Sequence, residues 1–194
     1  GGIAALREIA VADGQVSIGA LVTHDTVAQS APIAKAIPAL AGLALHIGDP
    51  QVRNRGTIGG SVANNDPAAD YPAALLALGA TIGTNKREIK ADDFFKGLFT
   101  TALQEGEIIT RISFPVPGKF GYAKFPNPAS RYALVGVAVA QPAMETALAK
   151  GWSAQALNGV TTDAAKMMSD IHADAAYRAH LVGVMARRAV AKAG

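Results

Sequence analysis

The stretch RNRGTIGGSVANNDPAADYP, residues 53–72, constrains the fold of this chain more than any other segment. It places adjacent glycines, adjacent asparagines, two aspartates and two prolines between two apolar runs of helical spacing. Glycine and proline interrupt regular helices and strands, so the chain must turn or open a loop here. These residue types are ordinary turn formers. They also supply bare backbone and small hydroxyls, so the residues alone leave open a connector or a phosphate-binding loop.

The centre of this stretch has the chemistry that a pyrophosphate requires. Gly59 and Gly60 have no side chains, so their N–H groups can approach an anion, and the hydroxyls of Thr57 and Ser61 flank them. Neither GxxxxGK[ST] nor GxGxxG is present, which argues against a P-loop and a Rossmann fingerprint. Asp70 is predicted either to cap the following helix or to accept from a ribose or ribityl hydroxyl.

The remaining pattern predicts an α+β fold. Asp13-Gly14 predicts a hairpin, Pro38 should kink or split a helix that begins after Ser30, and Gly79 should end the helix that begins at Asp70. Strands are predicted in 106–117 and 132–140. Helices are predicted with a cap near Asp92, in 141–151 and in the amphipathic tail 174–193. We expect an α/β portion over residues 1–115 and a smaller sheet-plus-helix portion over residues 116–194.

Composition excludes several classes of function. The chain has no cysteine, so it carries no disulfide, iron–sulfur cluster or thiolate zinc site. The four scattered histidines give no HxH or HExxH pairing, and we expect no metal site. A net charge of +3 without a basic cluster does not indicate a nucleic-acid partner. No apolar run reaches the roughly 18 residues of a membrane span. We therefore expect a soluble, cytoplasmic protein.

A longer ordered match bears on the alternatives that the loop leaves open. IGDPQVRNRGTIGGSVANNDPAADYPAALLALGATI resembles the FAD-binding (medium) subunit of the molybdenum hydroxylases, of the aerobic carbon monoxide dehydrogenase and xanthine dehydrogenase type. The resemblance continues through REIKADDFFKGLFTTALQEGEIITRISFP and GYAKFPNPASRYALVGVAVA. It ends in MSDIHADAAYRAHLVGVMARRAV, so it covers most of the chain.

The resemblance implies an FAD-binding fold of the vanillyl-alcohol-oxidase type. FAD would lie extended between the α/β domain and a smaller C-terminal domain with a three-stranded sheet and helices. Two glycine loops hold the pyrophosphate in the family, and the first is expected upstream of Gly1, so we expect a chain truncated at its N-terminus. The family's β-hairpin between the strand ending near Ala140 and the helix at Met144 is also expected to be missing.

The same resemblance implies which residues bind FAD: Thr57, Ile58, Gly59, Gly60, Ser61, Asn64, Asp70, Ile109, Lys124 and Tyr132. The first five would form the second pyrophosphate loop, and Asn64 and Asp70 would contact the ribityl or phosphate region. Ile109 would pack by the flavin or adenine, Lys124 would lie near the isoalloxazine, and Tyr132 beside its ring. Alternatively, Ile109 and Tyr132 belong to the core and Lys124 is a solvated charge. No catalytic acid–base residue is expected.

The implied function is that of an oxidoreductase subunit. FAD would take electrons from [2Fe–2S] clusters on a small partner chain and pass them to quinone, NAD or oxygen, while substrate is oxidised at a molybdopterin centre on a large partner chain. The assembly would be a dimer of heterotrimers. Two alternatives stay open: a stand-alone FAD-dependent oxidase, and a non-enzymatic assembly fragment of the same fold.

Overall fold

The computed structural model describes residues 2–141, 148 and 151–193. Its main sheet has five antiparallel strands in the order β1-β2-β7-β3-β4, and two further pairs are β5-β6 and β8-β9. The strands are β1 Ile9–Ala12, β2 Gln15–Gly19, β3 Thr81–Thr84, β4 Glu88–Lys90, β5 Phe95–Gly97, β6 Thr100–Thr101, β7 Ile109–Pro115, β8 Lys119–Pro126 and β9 Ala133–Gln141. The helices are α1 His24–Gln29, α2 Ala31–Ala36, α3 Pro38–Leu45, α4 Pro50–Arg55, α5 Ile58–Asn64, α6 Tyr71–Ala77, α7 Ala91–Phe94 and α8 Ala175–Lys192.

Local turn chemistry sets several of these boundaries. Asp13 and Gly14 both have positive φ and close the β1–β2 hairpin, as predicted. Pro38 begins α3 directly after α2, so the predicted split of this helix is confirmed. Gly79 lies after α6 with a φ of 60°, which confirms the predicted helix end. The mixed helix and strand architecture predicted from the sequence is therefore confirmed.

The helix predicted near Asp92 is confirmed, but the cap predicted there is wrong. The helix placed near Asp92 begins at Ala91, and its N-cap residue, Lys90, makes no side-chain cap hydrogen bond. Strand β4 runs to Lys90, and the Ala91 N–H donates to the carbonyl of Ala80 at 2.9 Å. The sheet edge therefore sets this helix start.

Two hydrophobic clusters hold the described residues together. The larger lies between the five-stranded sheet and helices α1–α3 and α5–α7 and includes Ile18, Leu40, Leu75 and Phe114. The smaller lies between the β8–β9 pair and α8 and includes Met185. Phe120 and Tyr122 of β8 belong to the larger cluster, so this strand contributes to both. The domain boundary at residue 115 stays a prediction.

The C-terminal sheet differs from the family expectation. Where the resemblance implies three strands, the described residues form the two-stranded β8–β9 sheet. Helix α8 packs closely against it, because a Cβ at Gly121 would collide with the carbonyl oxygen of Ala189. The predicted amphipathic tail is confirmed, with Leu181 and Met185 buried on its inner face. The helix predicted in 141–151 lies outside the described residues, apart from Leu148 and the two end positions.

Candidate functional site

A cleft of about 430 Å³ lies where the glycine-rich stretch meets the end of β8 and the turn before β9. Three segments supply its walls: the start of α1, residues 47–70, and residues 124–132. The lining residues are His24, Ile47, Gly48, Val52, Arg55, Gly56, Thr57, Gly60, Ser61, Asn64, Asp66, Ala69, Asp70, Lys124, Ser130, Arg131 and Tyr132.

The cleft brings together most of the residues that the sequence predicted as a site. The predicted residues in its lining are Thr57, Gly60, Ser61, Asn64, Asp70, Lys124 and Tyr132. Ile58 and Gly59 lie below it in the core, and Ile109 is buried in the larger cluster on β7. The fold thus brings predicted residues that are up to 75 positions apart in the sequence to one surface.

The glycine-rich stretch, predicted as a turn or loop, is helical instead: Gly59 and Gly60 lie in the first turn of α5, and Thr57 is its N-cap residue. The Thr57 Oγ1 accepts from the Gly60 N–H at 3.1 Å. The Gly59 N–H donates to the carbonyl of Ala20 and the Ser61 N–H to that of Thr57, both at 3.0 Å. The backbone N–H groups that were expected to face an anion are therefore already hydrogen-bonded. The donors left for a ligand are the hydroxyls of Thr57 and Ser61.

Gly59 and Gly60 are each needed for a different structural reason. A Cβ at Gly59 would come within 2.5 Å of the Ala20 Cβ and 2.7 Å of its carbonyl oxygen, so Gly59 permits close packing of α5 on the chain after β2. A Cβ at Gly60 would meet only the Thr57 Oγ1, at 3.0 Å. Gly60 is exposed and faces the cleft, so its missing side chain leaves room for a ligand.

Asp70 is part of a buried ion pair. Its Oδ2 accepts from the Lys124 Nζ at 2.9 Å, its Oδ1 accepts a short hydrogen bond from the Tyr122 hydroxyl, and both charged side chains are 5% exposed. Burial raises the pKa of Asp70, while the Lys124 ammonium and the Tyr122 hydroxyl oppose that rise. Asp70 is the N-cap residue of α6, as predicted, but its side chain makes no cap hydrogen bond. Contact of Asp70 with FAD stays a prediction.

For Lys124, Tyr132 and Ile109, the structure bears on the alternatives to FAD binding, which were a solvated charge for the first and core positions for the other two. The Lys124 side chain is not solvated, since it is buried against Asp70 and also donates to the carbonyl of His46 at 3.1 Å. Tyr132 is 53% exposed at the cleft, which argues against a core position. Ile109 packs in the core, which agrees with the alternative given for this residue. Roles toward the flavin stay predictions for all three.

The predicted site residues leave out several polar side chains of the cleft, including those of His24, Arg55 and Arg131. Arg55 and Arg131 add positive charge, and His24 is 5% exposed at the start of α1. The backbone holds His24 in place, because its N–H donates to the carbonyl of Gly56 at 3.0 Å. A lone histidine 33 residues before Thr57 gives no sequence signal of this placement.

The residues present fit a group that carries phosphates and hydroxyls. The lining offers the hydroxyls of Thr57, Ser61, Ser130 and Tyr132, two arginines and the open backbone of Gly60. The Nδ1 atom of His24 is buried without a hydrogen-bond partner, so the wall also holds an unused polar group. Among the described residues no group of three metal-binding side chains is found, and no helix there is long and apolar enough to cross a membrane.

Residues 1–117 match the family model described as the FAD binding domain in molybdopterin dehydrogenase. The nicotine 6-hydroxylase medium subunit of Paenarthrobacter nicotinovorans is 32% identical over 227 aligned residues, covering 100% of this chain and 80% of that protein. The carbon monoxide dehydrogenase medium chain of Afipia carboxidovorans is 31% identical, covering 92% of this chain and 74% of that one.

Solved structures show the same likeness. A crystal structure of a Cu,Mo-CO dehydrogenase in its cyanide-inactivated form superposes with a TM-score of 0.85 at 30% identity, over 98% of this chain and 79% of that chain. Quinoline 2-oxidoreductase from Pseudomonas putida 86 superposes with a TM-score of 0.79 at 28% identity, over the same shares of the two chains. The predicted fold is therefore confirmed.

Proposed function

Because this chain belongs to the family of FAD-binding domains of molybdopterin dehydrogenases, we propose that it passes electrons from iron–sulfur clusters on a partner chain to an external acceptor. The chain is the FAD subunit of an oxidoreductase, as its relatives are. FAD supplies the redox chemistry when bound, and this chain supplies binding, orientation and electrostatics. The observation that carries the proposal is the cleft, which gathers seven of the ten predicted FAD-binding residues.

The residues of the cleft divide into donors and walls. Thr57 and Ser61 provide hydroxyls to the phosphate region, and Gly60 keeps the approach open. Arg55 and Arg131 provide positive charge that attracts a diphosphate. Asn64 lies in the same wall and provides an amide that both donates and accepts.

Tyr132 and Lys124 supply the groups of the cleft that are best suited to contact an isoalloxazine. Tyr132 offers an exposed aromatic ring. Lys124 offers a cation whose position is fixed by Asp70 and by the carbonyl of His46. A fixed cation stabilises negative charge that develops on a reduced ring. This gives the Lys124 side chain a role in electron transfer that a freely moving surface lysine would not have.

The partners that we propose are a molybdopterin-binding large subunit and a [2Fe–2S] small subunit, in a dimer of heterotrimers in the cytoplasm. The named relatives are medium subunits or chains, which supports this division and favours it over a stand-alone oxidase. Among complexes of this kind, we propose that the assembly is most like aerobic carbon monoxide dehydrogenase, because that structure superposes well over nearly the whole chain.

Purification of the full chain from its native cells tests the proposal. We expect a flavin absorption spectrum, together with molybdenum, iron and two further chains at equal stoichiometry. A flavin-bearing chain that purifies alone and reduces oxygen with its own substrate would support the oxidase alternative. A chain without flavin, in native and reconstituted form, would support the non-enzymatic fragment.

A further inference from the structure

His24 lies at the junction between the cleft and the core. Thr23 and Thr57 form an isolated antiparallel bridge, so α1 begins beside the glycine-rich turn of α5. The His24 side chain lines the cleft and is 5% exposed. The described structure gives its ring no hydrogen bond to the protein. A polar ring in this position normally has partners, because an unsatisfied buried polar atom costs about 1–3 kcal/mol.

A second unpartnered group belongs to the aromatic ring packed beside His24. The Nδ1 of His24 and the hydroxyl of Tyr71 are both buried without hydrogen bonds, and the two rings pack with centroids 5.4 Å apart at 44°. Burial raises the pKa of Tyr71, so its hydroxyl keeps its proton and can donate. A neutral imidazole nitrogen can accept that proton's hydrogen bond. The two groups are therefore complementary.

The outer edge of the ring lies against bare backbone. A Cβ at Gly56 would come within 2.6 Å of the His24 Nε2, so any side chain at Gly56 would displace the imidazole. Gly56 lies in the cleft lining next to Thr57. The Nε2 edge therefore lies beside Gly56, in the lining that also includes Thr57 and Ser61, and Nδ1, not Nε2, is the buried unpartnered nitrogen.

The charge of the ring is fixed by its surroundings. Burial lowers the pKa of His24 to about 4, so the imidazole is neutral near neutral pH. A neutral imidazole has one N–H donor and one acceptor nitrogen, and the hydrogen bond made by one nitrogen decides which of them carries the proton. An acceptor role for Nδ1 places the proton on Nε2.

We propose that His24 is an FAD-binding residue whose Nε2–H donates to a phosphate or ribityl oxygen, and that Tyr71 is a positioning residue whose hydroxyl donates to Nδ1 once FAD is bound, a hydrogen bond that the chain without FAD does not make. This inference rests on the proposed function, since it takes FAD as the ligand of the cleft. It assigns a purpose to both unpartnered atoms at once. It also explains why a glycine is required at position 56, outside the paired glycines of the turn.

Affinity for free FAD, measured by flavin fluorescence quenching on the full chain after flavin removal, separates the two edges of the ring. In His24→Gln the amide nitrogen reproduces the position of Nε2, and in His24→Asn it reproduces Nδ1. We expect His24→Gln to keep the wild-type Kd within about threefold, and His24→Asn and His24→Leu to raise it about tenfold, the loss expected for one hydrogen bond.

Nitrogen-15 NMR of the histidine rings gives a readout that a merely structural role would not move. On addition of FAD we expect the His24 signals to become those of a single Nε2–H tautomer, and in Tyr71→Phe we expect a mixture of tautomers. A Kd for His24→Leu equal to that of the wild type, or an unchanged tautomer on FAD addition, would overturn the inference alone. A wild-type chain that binds no FAD would overturn the proposed function and the inference together.

Discussion

At the scale of single residues, Gly59 and Gly60 show that neighbouring residues of one type can be required for different reasons. Gly59 allows α5 to pack on Ala20, and Gly60 keeps the cleft open. Sequence reasoning assigned both to an anion through their N–H groups. In the described structure both N–H groups donate within the chain, and contact of the two glycines with FAD stays a prediction. Their surroundings separate an expected stability effect at Gly59 from an expected binding effect at Gly60.

Substitution of Gly60→Val should weaken FAD binding while leaving the fold intact. The new Cβ meets only the Thr57 Oγ1, and the branched side chain extends into the cleft. We expect a Kd for FAD that is raised by at least about tenfold, which corresponds to about 1.4 kcal/mol. A fluorescence titration measures the Kd and a thermal melt checks the fold. An unchanged Kd would show that the cofactor does not approach α5.

Gly59→Ala is the matched counterpart of that variant. Its Cβ would collide with Ala20, so it should lower the melting temperature. We expect a destabilisation of roughly 1–3 kcal/mol, as overpacking of a well-filled core produces. Equal melting temperatures for Gly59→Ala and the wild type would contradict the close packing of α5.

Asp70→Asn should destabilise the protein far more than the loss of a helix cap does. The substitution leaves the Lys124 ammonium buried without its carboxylate partner. We expect urea unfolding to show a loss of roughly 3–5 kcal/mol, against about 1 kcal/mol for a cap. The double variant Asp70→Asn with Lys124→Met is the control, and it should recover part of the loss. A loss near 1 kcal/mol in the single variant, without recovery in the double variant, would contradict the ion pair.

At the scale of elements, most boundaries could be predicted because their causes are local. Asp13-Gly14, Pro38 and Gly79 act through backbone conformation within a few residues. Asp92 failed as a predicted cap because strand β4 and the Ala80 carbonyl set the start of α7. Sheet contacts of this kind join distant segments, and no short window of sequence contains them.

Asp174→Ala tests local capping at an exposed helix start. The Asp174 Oδ1 accepts from the Tyr177 N–H at 2.7 Å and begins α8. We expect the free energy of unfolding to fall by about 1 kcal/mol. Asp92→Ala is the matched control, since Asp92 makes no cap bond, and it should change the free energy by less than about 0.5 kcal/mol. Equal effects in the two variants would show that capping does not explain the Asp174 result.

At the scale of the whole molecule, the cleft is formed by residues from both sides of position 115. Family likeness predicted seven of its lining residues. Residue chemistry alone left the glycine-rich stretch undecided between a turn and a phosphate loop. The partners of Asp70 could not be predicted, because Tyr122 and Lys124 reach it from β8 across more than 50 positions of sequence. Burial decides the protonation state of the His24 imidazole, and the burial of one isolated histidine cannot be predicted from the sequence pattern.

The free energy of unfolding should decrease as the pH is lowered, in two successive pH windows. Burial lowers the pKa of His24 from 6.5 to about 4, so between these values the unfolded chain binds more protons than the folded chain. The free energy of unfolding therefore rises with pH across this window and decreases as the pH falls toward 4. His46, whose pKa burial also lowers, adds to the same slope. Thermal melts of His24→Gln should show a shallower slope here than the wild type.

Glu107 should act in the lower window. The Arg87 side chain, bonded to it at 3.0 Å, holds the pKa of Glu107 at about 2, below the usual 4.5. Its stabilisation is complete above pH 4.5 and is lost as the pH falls toward 2. Glu107→Gln should remove this part of the acid response without changing the slope above it. A wild-type slope at low pH in Glu107→Gln would contradict the assignment.

The joining of Asp70 to Tyr122 and Lys124 also has a consequence for how this sequence can evolve. The carboxylate belongs to the start of α6, and both of its partners belong to β8. A variant that loses the Asp70 carboxylate keeps the Lys124 cation buried without a partner, and a variant that loses Lys124 keeps the Asp70 anion buried without its cation. Selection therefore acts on the three positions as one unit. We expect related sequences to exchange the pair together, and chimaeras that cross between residues 70 and 122 to be viable only when both parents carry it.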